Sequence, residues 1–283
     1  PNMILNLKKR KTPIILINGR ITKKSYNRWR FFKNFSKEIF SKFNLCFSSS
    51  SESKNFLIKL GAKNVITIGN LKFTQSENDY MKIKNELRKF ILSKKVWCAS
   101  STHNNEEIIC GLVHKKLKLK YKNLLTIIIP RHINRTQSIK EDLNKMGLKV
   151  HLHEPQIRVK KDVDIYIVNT YGKTKMFYNF SKNVFLGGSM IDHGGQNPLE
   201  AARYGCNILH GPNISNFKEI YQFLNQNKIS FRINSPNTMN KTLIKLFINN
   251  KSSSKIKEKI NLIGQKILND TYKKISLLLK NEI

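Results

Sequence analysis

Val184-Phe185-Leu186-Gly187-Gly188-Ser189-Met190-Ile191-Asp192-His193-Gly194-Gly195-Gln196-Asn197-Pro198-Leu199-Glu200 is the stretch on which the fold turns. Three apolar residues read as the end of a buried strand, and two Gly-Gly pairs follow within nine positions. Asn197 is placed to N-cap a helix with Pro198 at its first position, leaving free N–H groups able to face a phosphate. Glu200 then falls in the first helical turn, where an acid can accept hydrogen bonds from ribose hydroxyls. A capping box would account for Asn197 and Glu200 alone, but a cap does not need two Gly-Gly pairs. The segment therefore reads as strand, ligand loop, helix.

The same unit recurs in both directions. Short β-branched runs predict strands at Pro13–Asn18, Leu45–Ser48, Val65–Ile68, Val96–Ala99, Leu124–Ile129, Lys149–Leu152, Ile165–Val168, Val184–Leu186, Asn207–Leu209 and Ser230–Arg232. Amphipathic spacing predicts helices near 26–42, 51–60, 79–92, 104–119, 133–146, 174–180, 198–204, 216–226, 236–249 and 252–280, with Gly61 and Gly147 at helix ends. The alternation predicts α/β architecture with parallel sheets. The polar segment Thr74 to Asp79 divides two βα series, giving lobes at 1–74 and 75–283. The long, basic last helix is expected to pack back on the first lobe. Three strand units make an unlikely complete parallel domain, and residue 1 is proline, so the chain is expected to be a fragment whose first lobe lacks its beginning.

Composition narrows the function classes. Apolar residues make up 40% of the 283, too many for a disordered polybasic tail. The longest apolar runs, Pro13–Ile17 and Leu124–Pro130, fall far short of the ~20 residues of a spanning helix, and no secretory signal is read. Cys46, Cys98, Cys110 and Cys206 have no Cys-x-x-Cys spacing, which predicts buried free thiols in a reducing compartment. The formal charge of +34 is concentrated early: residues 1–72 hold 16 Lys/Arg against 2 acids. There Lys8, Lys9, Arg10, Lys11, Lys23, Lys24, Arg28, Arg30 and Lys33 interleave with Tyr26, Trp29, Phe31 and Phe32. A membrane interface and a nucleic acid would each suit that pattern, although no helix-turn-helix, zinc-finger or RNA-recognition signature accompanies it.

In an open parallel sheet, ligands bind beyond the carboxyl ends of the strands. Ser100-Ser101-Thr102-His103-Asn104-Asn105-Glu106-Glu107 reads first as helix capping by hydroxyls and acids. Arg131, in Pro130-Arg131-His132, puts a cation at a strand end where it can hold a phosphate. In Asn169-Thr170-Tyr171-Gly172-Lys173, Gly172 permits a turn with φ > 0. His210-Gly211-Pro212-Asn213 is another loop on the same rim. Asp162-Val163-Asp164 reads as a polar strand entry, not a metal-nucleotide signature, and His151 and His153 have no third ligand nearby; no metal and no cofactor are expected.

Together these loops carry a resemblance. STHNNEE at 101–107, PRH at 130–132, GGS at 187–189, GGQNPLE at 194–200 and GPNISNF at 211–217 resemble the 3-deoxy-D-manno-oct-2-ulosonic acid (Kdo) transferases of Gram-negative bacteria. Asn18-Gly19-Arg20-Ile21-Thr22 and Gly69-Asn70-Leu71-Lys72-Phe73 are similar to two motifs of that family's N-terminal lobe, and residues 1–3 look like the end of its Trp-Pro-Asn segment. The resemblance implies a GT-B fold: a complete C-terminal Rossmann-like lobe (75–283) and the last part of an N-terminal, acceptor-facing one. It implies inverting transfer of Kdo from CMP-Kdo to the lipid A precursor at the cytoplasmic face of the inner membrane, without a metal, the anchor lying outside this chain. It implies CMP contacts at Pro130, Arg131, Tyr171, Gly172, Lys173, Asn197, Pro198, Leu199 and Glu200, and a transition-state role for Lys72. The family's base glutamate falls in a region not present here, so this chain alone is expected to be inactive. The family usually has Met-Gly-Glu where this chain has Tyr171-Gly172-Lys173. Two rival readings stay open: a GT-B transferase or epimerase using UDP, and a basic nucleic-acid-binding protein.

Overall fold

Strands buried on both faces carry near-continuous apolar runs, and the ten such runs form ten strands. The computed structural model describes residues 1–75, 84–153, 159–160, 162–249 and 254–281. The start of the helix expected over 79–92, the first residues of the one expected over 252–280 and most of the Thr74 to Asp79 boundary lie outside the described residues. Contacts divide the chain into two compact units, Pro1–Glu77 with Lys259–Ile283, and Asn78–Glu258.

The first unit holds β1 (Ile15–Gly19), β2 (Leu45–Ser48) and β3 (Val65–Thr67), a parallel sheet in the order β1-β2-β3. Its core gathers Phe40, Cys46, Leu57, Leu60, Ala62 and Val65, with Leu16, Tyr26 and Trp29 packed against them. The single helix expected over 26–42 is two, Lys23–Phe31 and Lys33–Phe40, parted at Phe32 (φ −107, ψ 54). It also begins earlier, because Thr22 caps it by accepting from the Ser25 N–H at 3.2 Å. A helix at Asn2–Lys9 was not anticipated; its cations at 8 and 9 mask a short apolar spacing. Within the long helix Ser254–Asn281, Ile260, Ile267 and Thr271 share a buried face, and the Ile267 side chain fills the space beside Gly69. No helix among the described residues is long and apolar enough to cross a membrane.

The second unit holds β4 (Lys95–Thr102), β5 (Leu124–Pro130), β6 (Val150–Leu152), β7 (Ile165–Ile167), β8 (Asn183–Leu186), β9 (Asn207–His210) and β10 (Ser230–Arg232). All pair in parallel, in the order β10-β9-β8-β4-β5-β7-β6. Every residue of β5 is buried, and Trp97, Val113, Leu117, Ile128, Ile165 and Phe185 lie in one core. The four cysteines are buried and free. Asp162 and Asp164 lie at the opposite edge from the ligand loops. Asp164 pairs with Lys118 and lies 3.4 Å from His114, while Asp162 meets Lys149 at 2.5 Å. Chain order reverses between β4 and β8. That neighbouring pair is the switch point of the sheet, where loops leave in opposite directions and open a crevice.

Candidate functional site

Because all seven strands run the same way, every strand-to-helix loop emerges at one edge. Arg131 follows β5, Gly172 follows β7 and Asn197 follows β8; β8-β4-β5-β7 are consecutive neighbours. The structure thus brings these predicted residues to one rim of one unit.

At the switch point the two loops are joined by a carboxylate. Ser100, Ser101 and Thr102 are not cap hydroxyls, since β4 runs on through Thr102, and the helix Glu106–Lys120 starts after Asn105 (φ 71) with no side-chain cap. Glu106 turns back instead. Its Oε2 accepts from the backbone N–H of His103 at 2.9 Å and Gly188 at 2.7 Å, and its Oε1 from Ser189 at 3.1 Å and Met190 at 3.0 Å. Burial raises its pKa, and those four N–H donors oppose the shift. The approach requires a glycine: a Cβ on Gly187 would stand 2.6 Å from Thr102 Cα and 2.7 Å from Glu106 Oε2. Glu107 holds the other side, taking Arg135 through both of its oxygens at 3.1 Å.

The loop after β9 hangs from the same frame. Ser189 Oγ accepts from Gly211 N–H at 2.9 Å, and Ser189 C=O from Asn213 N–H at 3.0 Å. Asn216 donates its amide to His193 C=O at 2.9 Å, and Tyr221 donates its hydroxyl to Gln196 C=O at 3.1 Å. Into this rim project three imidazoles, His103 lying 4.3 Å from His193 and 5.9 Å from His132 between ring centroids. Burial, then His193, His132, Arg131 and Arg135, lower the His103 pKa to about 4. A neutral His103 accepts from the Gln196 amide at Nε2, 3.2 Å away.

Each predicted contact residue has a definite place. Arg131 is exposed, its backbone N–H bonded to Thr102 C=O at 3.0 Å, and its charge reaches His103. Pro130 and Leu199 are buried. The helix at 199 starts one residue late: Pro198 takes the cap position and Asn197 Oδ1 accepts from Leu199 N–H at 3.2 Å. Glu200 is half-buried, and burial raises its pKa against the pull of Lys175 and Arg203. Lys175 belongs to Thr174–Tyr178, the helix that begins just after Lys173, so the loop after β7 approaches Glu200. Tyr171 is 68% exposed and Gly172 has φ +78. Lys173 Nζ lies 3.3 Å from His153 Nε2, and His153 Nδ1 lies 2.6 Å from the Tyr166 hydroxyl. Where the related pattern has an acid, this chain has a cation tied to its own histidine.

In the first unit the two motif segments meet. Asn18 Oδ1 accepts from Leu71 N–H at 3.1 Å, and Asn70 Oδ1 from Lys72 N–H at 3.0 Å. Lys72 sits in the turn Leu71–Thr74, with its pKa lowered by burial and by Arg20.

The sequence reading missed Glu106 as a structural acceptor, and missed Gln196 and the histidines as one cluster. The available signal was Glu106 at the first position of a helix that follows a strand directly: a carboxylate there can reach the neighbouring strand's loop. Among the described residues no group of three or more His, Cys, Asp or Glu could hold a metal ion.

Residues 1–75 match the family model described as 3-deoxy-D-manno-octulosonic-acid transferase (kdotransferase). The chain is 27% identical to a 3-deoxy-D-manno-octulosonic acid transferase of Haemophilus influenzae, over 95% of this chain and 63% of that one. It is 30% identical to the transferase of that name from Rickettsia prowazekii, over 86% of this chain and 53% of that one. The chain thus spans less than two thirds of the length of these relatives. Among solved structures, the C-terminal CMP-Kdo binding domain of WaaA from Acinetobacter baumannii covers 64% of this chain and 93% of its own length, at 21% identity and a TM-score of 0.51. That likeness establishes the fold, a Rossmann-like lobe of GT-B type. The amino-terminal match, the relatives that run the length of both units and the lobe of like fold agree: the chain is similar to the 3-deoxy-D-manno-octulosonic acid (Kdo) transferases.

Proposed function

We propose that this chain carries the donor-binding half of a glycosyltransferase that moves Kdo from CMP-Kdo to the lipid A precursor, with inversion. The observation that carries this reading is the convergence of the loops after β5, β7 and β8 on one rim, with the exposed cation of Arg131 among them. Departure of CMP leaves an oxocarbenium-like sugar and a phosphate that gains charge. In this reading Arg131 and the N–H groups opening the helix at Leu199 meet that charge in a preorganised way, with no metal. Glu200, held beside Lys175, accepts from the ribose, and the backbone of Gly172 approaches the nucleotide. Lys72 is the candidate for stabilising the transition state.

The acceptor hydroxyl must also lose a proton. Glu106 and Glu107 are committed to backbone N–H groups and to Arg135, so neither serves as the base. The same reading predicts that residues 1–283 alone bind CMP without turning over CMP-Kdo. Isothermal titration with CMP, UMP and UDP tests it. CMP is expected to bind at least about tenfold more tightly than UDP; the reverse preference would favour a UDP-dependent transferase or epimerase.

An acceptor on a lipid calls for a membrane-facing surface, at the cytoplasmic face of the inner membrane in this reading. The knuckle between the helices Lys23–Phe31 and Lys33–Phe40 supports it: Phe31 is 86% and Phe32 68% exposed, and Lys23, Lys24, Arg28, Arg30 and Lys33 around them are exposed too. Apolar rings flanked by cations suit an anionic interface. Co-sedimentation with vesicles containing anionic lipid should fall when Phe31 and Phe32 are both changed to Ser. Unchanged sedimentation would remove this knuckle from the membrane assignment.

A further inference from the structure

We propose that Glu106 is a fixed internal anion: its carboxylate occupies the ring of backbone N–H groups at the β4–β8 junction and so sets the shape of the glycine loop that the donor meets. This inference rests on the CMP reading for its second half only. The loops leaving the parallel ends of β4 and β8 aim four backbone N–H groups at one point. Such a point attracts an anion, and here the chain supplies one. Both carboxylate oxygens take two donors each, from His103, Gly188, Ser189 and Met190.

Two consequences follow. The donor phosphate does not enter this nest, because it would meet a buried carboxylate, and it is left to the Arg131 side of the rim. Glu106 is therefore a positioning residue that acts through the loop it holds. Its influence extends to the loop after β9, because Ser189, whose N–H it accepts, also bonds Gly211 and Asn213. A first-turn acid that served only the helix dipole would stand in solvent and would not close three hydrogen bonds to another strand's loop.

The test uses the full 283-residue chain with Glu106→Ala and Glu106→Gln. Amide exchange of residues 187–190 and CMP affinity by titration are read with and without sodium formate. In E106A, exchange at 188–190 should quicken and CMP affinity fall by about tenfold. Formate at tens of millimolar should reverse both, by placing a carboxylate back among the four donors, and should leave the unsubstituted chain unchanged. In E106Q, which preserves volume, the amide NH2 faces N–H donors, so protection should be lost at one pair of amides and formate should not restore it. Unchanged protection of 188–190 in both variants would overturn the proposal. If E106A does not fold even in formate, E106Q decides by the same exchange measurement. Formate-dependent protection in a chain that does not bind CMP would preserve the internal anion, overturn its role toward the donor and sink the CMP reading separately.

Discussion

Two loops on the same rim are built in opposite ways. Between Gly187 and Gln196 nearly every polar group is answered from within the chain: Glu106 takes three N–H groups, Ser189 Oγ donates to Leu186 C=O at 2.5 Å, and Gly195 N–H bonds Gly188 C=O at 2.8 Å. At Asn169, Thr170 and Tyr171 the reverse holds. Asn169 Oδ1 and Thr170 Oγ1 are buried without a hydrogen-bond partner among the described residues, and Tyr171 stands in solvent. A buried polar group without a partner costs about 1–3 kcal/mol, a cost that a ligand can relieve. The glycine loop is therefore the frame of the site, and the loop after β7 is the part with affinity still to gain.

The largest test of that contrast is a pair of alanines. Gly187→Ala drives a methyl into the β4 backbone and the Glu106 carboxylate. It should destabilise the chain by about 3 kcal/mol or more, an overpacking against atoms that cannot swing aside. Gly172→Ala meets nothing within 4 Å and carries only the strain of φ +78, about 1–2 kcal/mol. Urea denaturation of both variants checks the order, and equal losses would mean that the glycine loop is no more rigid than its neighbour. Next in size is Arg131→Ala. Removing an exposed cation should leave stability within about 0.5 kcal/mol while weakening CMP by about 10–100-fold, the worth of a charge-assisted contact. A change below twofold would move the phosphate elsewhere on the rim. Thr170→Val is subtler. Deleting a partnerless buried hydroxyl should be neutral or stabilising in denaturation, yet weaken CMP several-fold if the ligand is what answers it.

Much of the frame was legible, and the reason is the length scale of each signal. β5, Leu124–Pro130, announces itself because seven consecutive residues must tolerate burial on both faces. Gly187-Gly188 is legible because only glycine permits the backbone to come so close to β4. Asn197 was placed one residue early as a cap, since both registers offer the same side chain to the same run of N–H groups. Glu106 was read as part of a cap because its true partners, Gly188 to Met190, are more than eighty positions away, and no local rule carries that distance. Phe32 likewise parts two helices where the apolar spacing continues unbroken, so only the packing of Trp29 on Phe40, with centroids 5.2 Å apart, reveals the turn. Lys173 was grouped with the nucleotide contacts through its place in the motif, and its partner, His153, lies just past β6, twenty residues earlier.

That partner gives the smallest and most discriminating expectation. If the Lys173 ammonium serves His153 rather than the ligand, Lys173→Met should change CMP affinity at pH 7.5 by less than about threefold. Its mark should appear instead in the pH dependence of stability. Burial first, then Lys173 and His151, depress the His153 pKa from 6.5 to about 4. The unfolded chain therefore takes up a proton as pH falls through 6.5 while the folded chain resists until about 4. Stability is full above 6.5, declines between 6.5 and 4, and changes no further from this group below that. His103, depressed by burial with His193, His132, Arg131 and Arg135, adds a decline over the same window. Removing the Lys173 charge lets the His153 pKa rise, so the slope of unfolding free energy between pH 6.5 and 4 should become shallower in Lys173→Met without vanishing, because the His103 share remains. An unaltered slope together with a collapse of CMP binding would return Lys173 to the ligand and make the loop after β7 a second charged clamp beside Arg131.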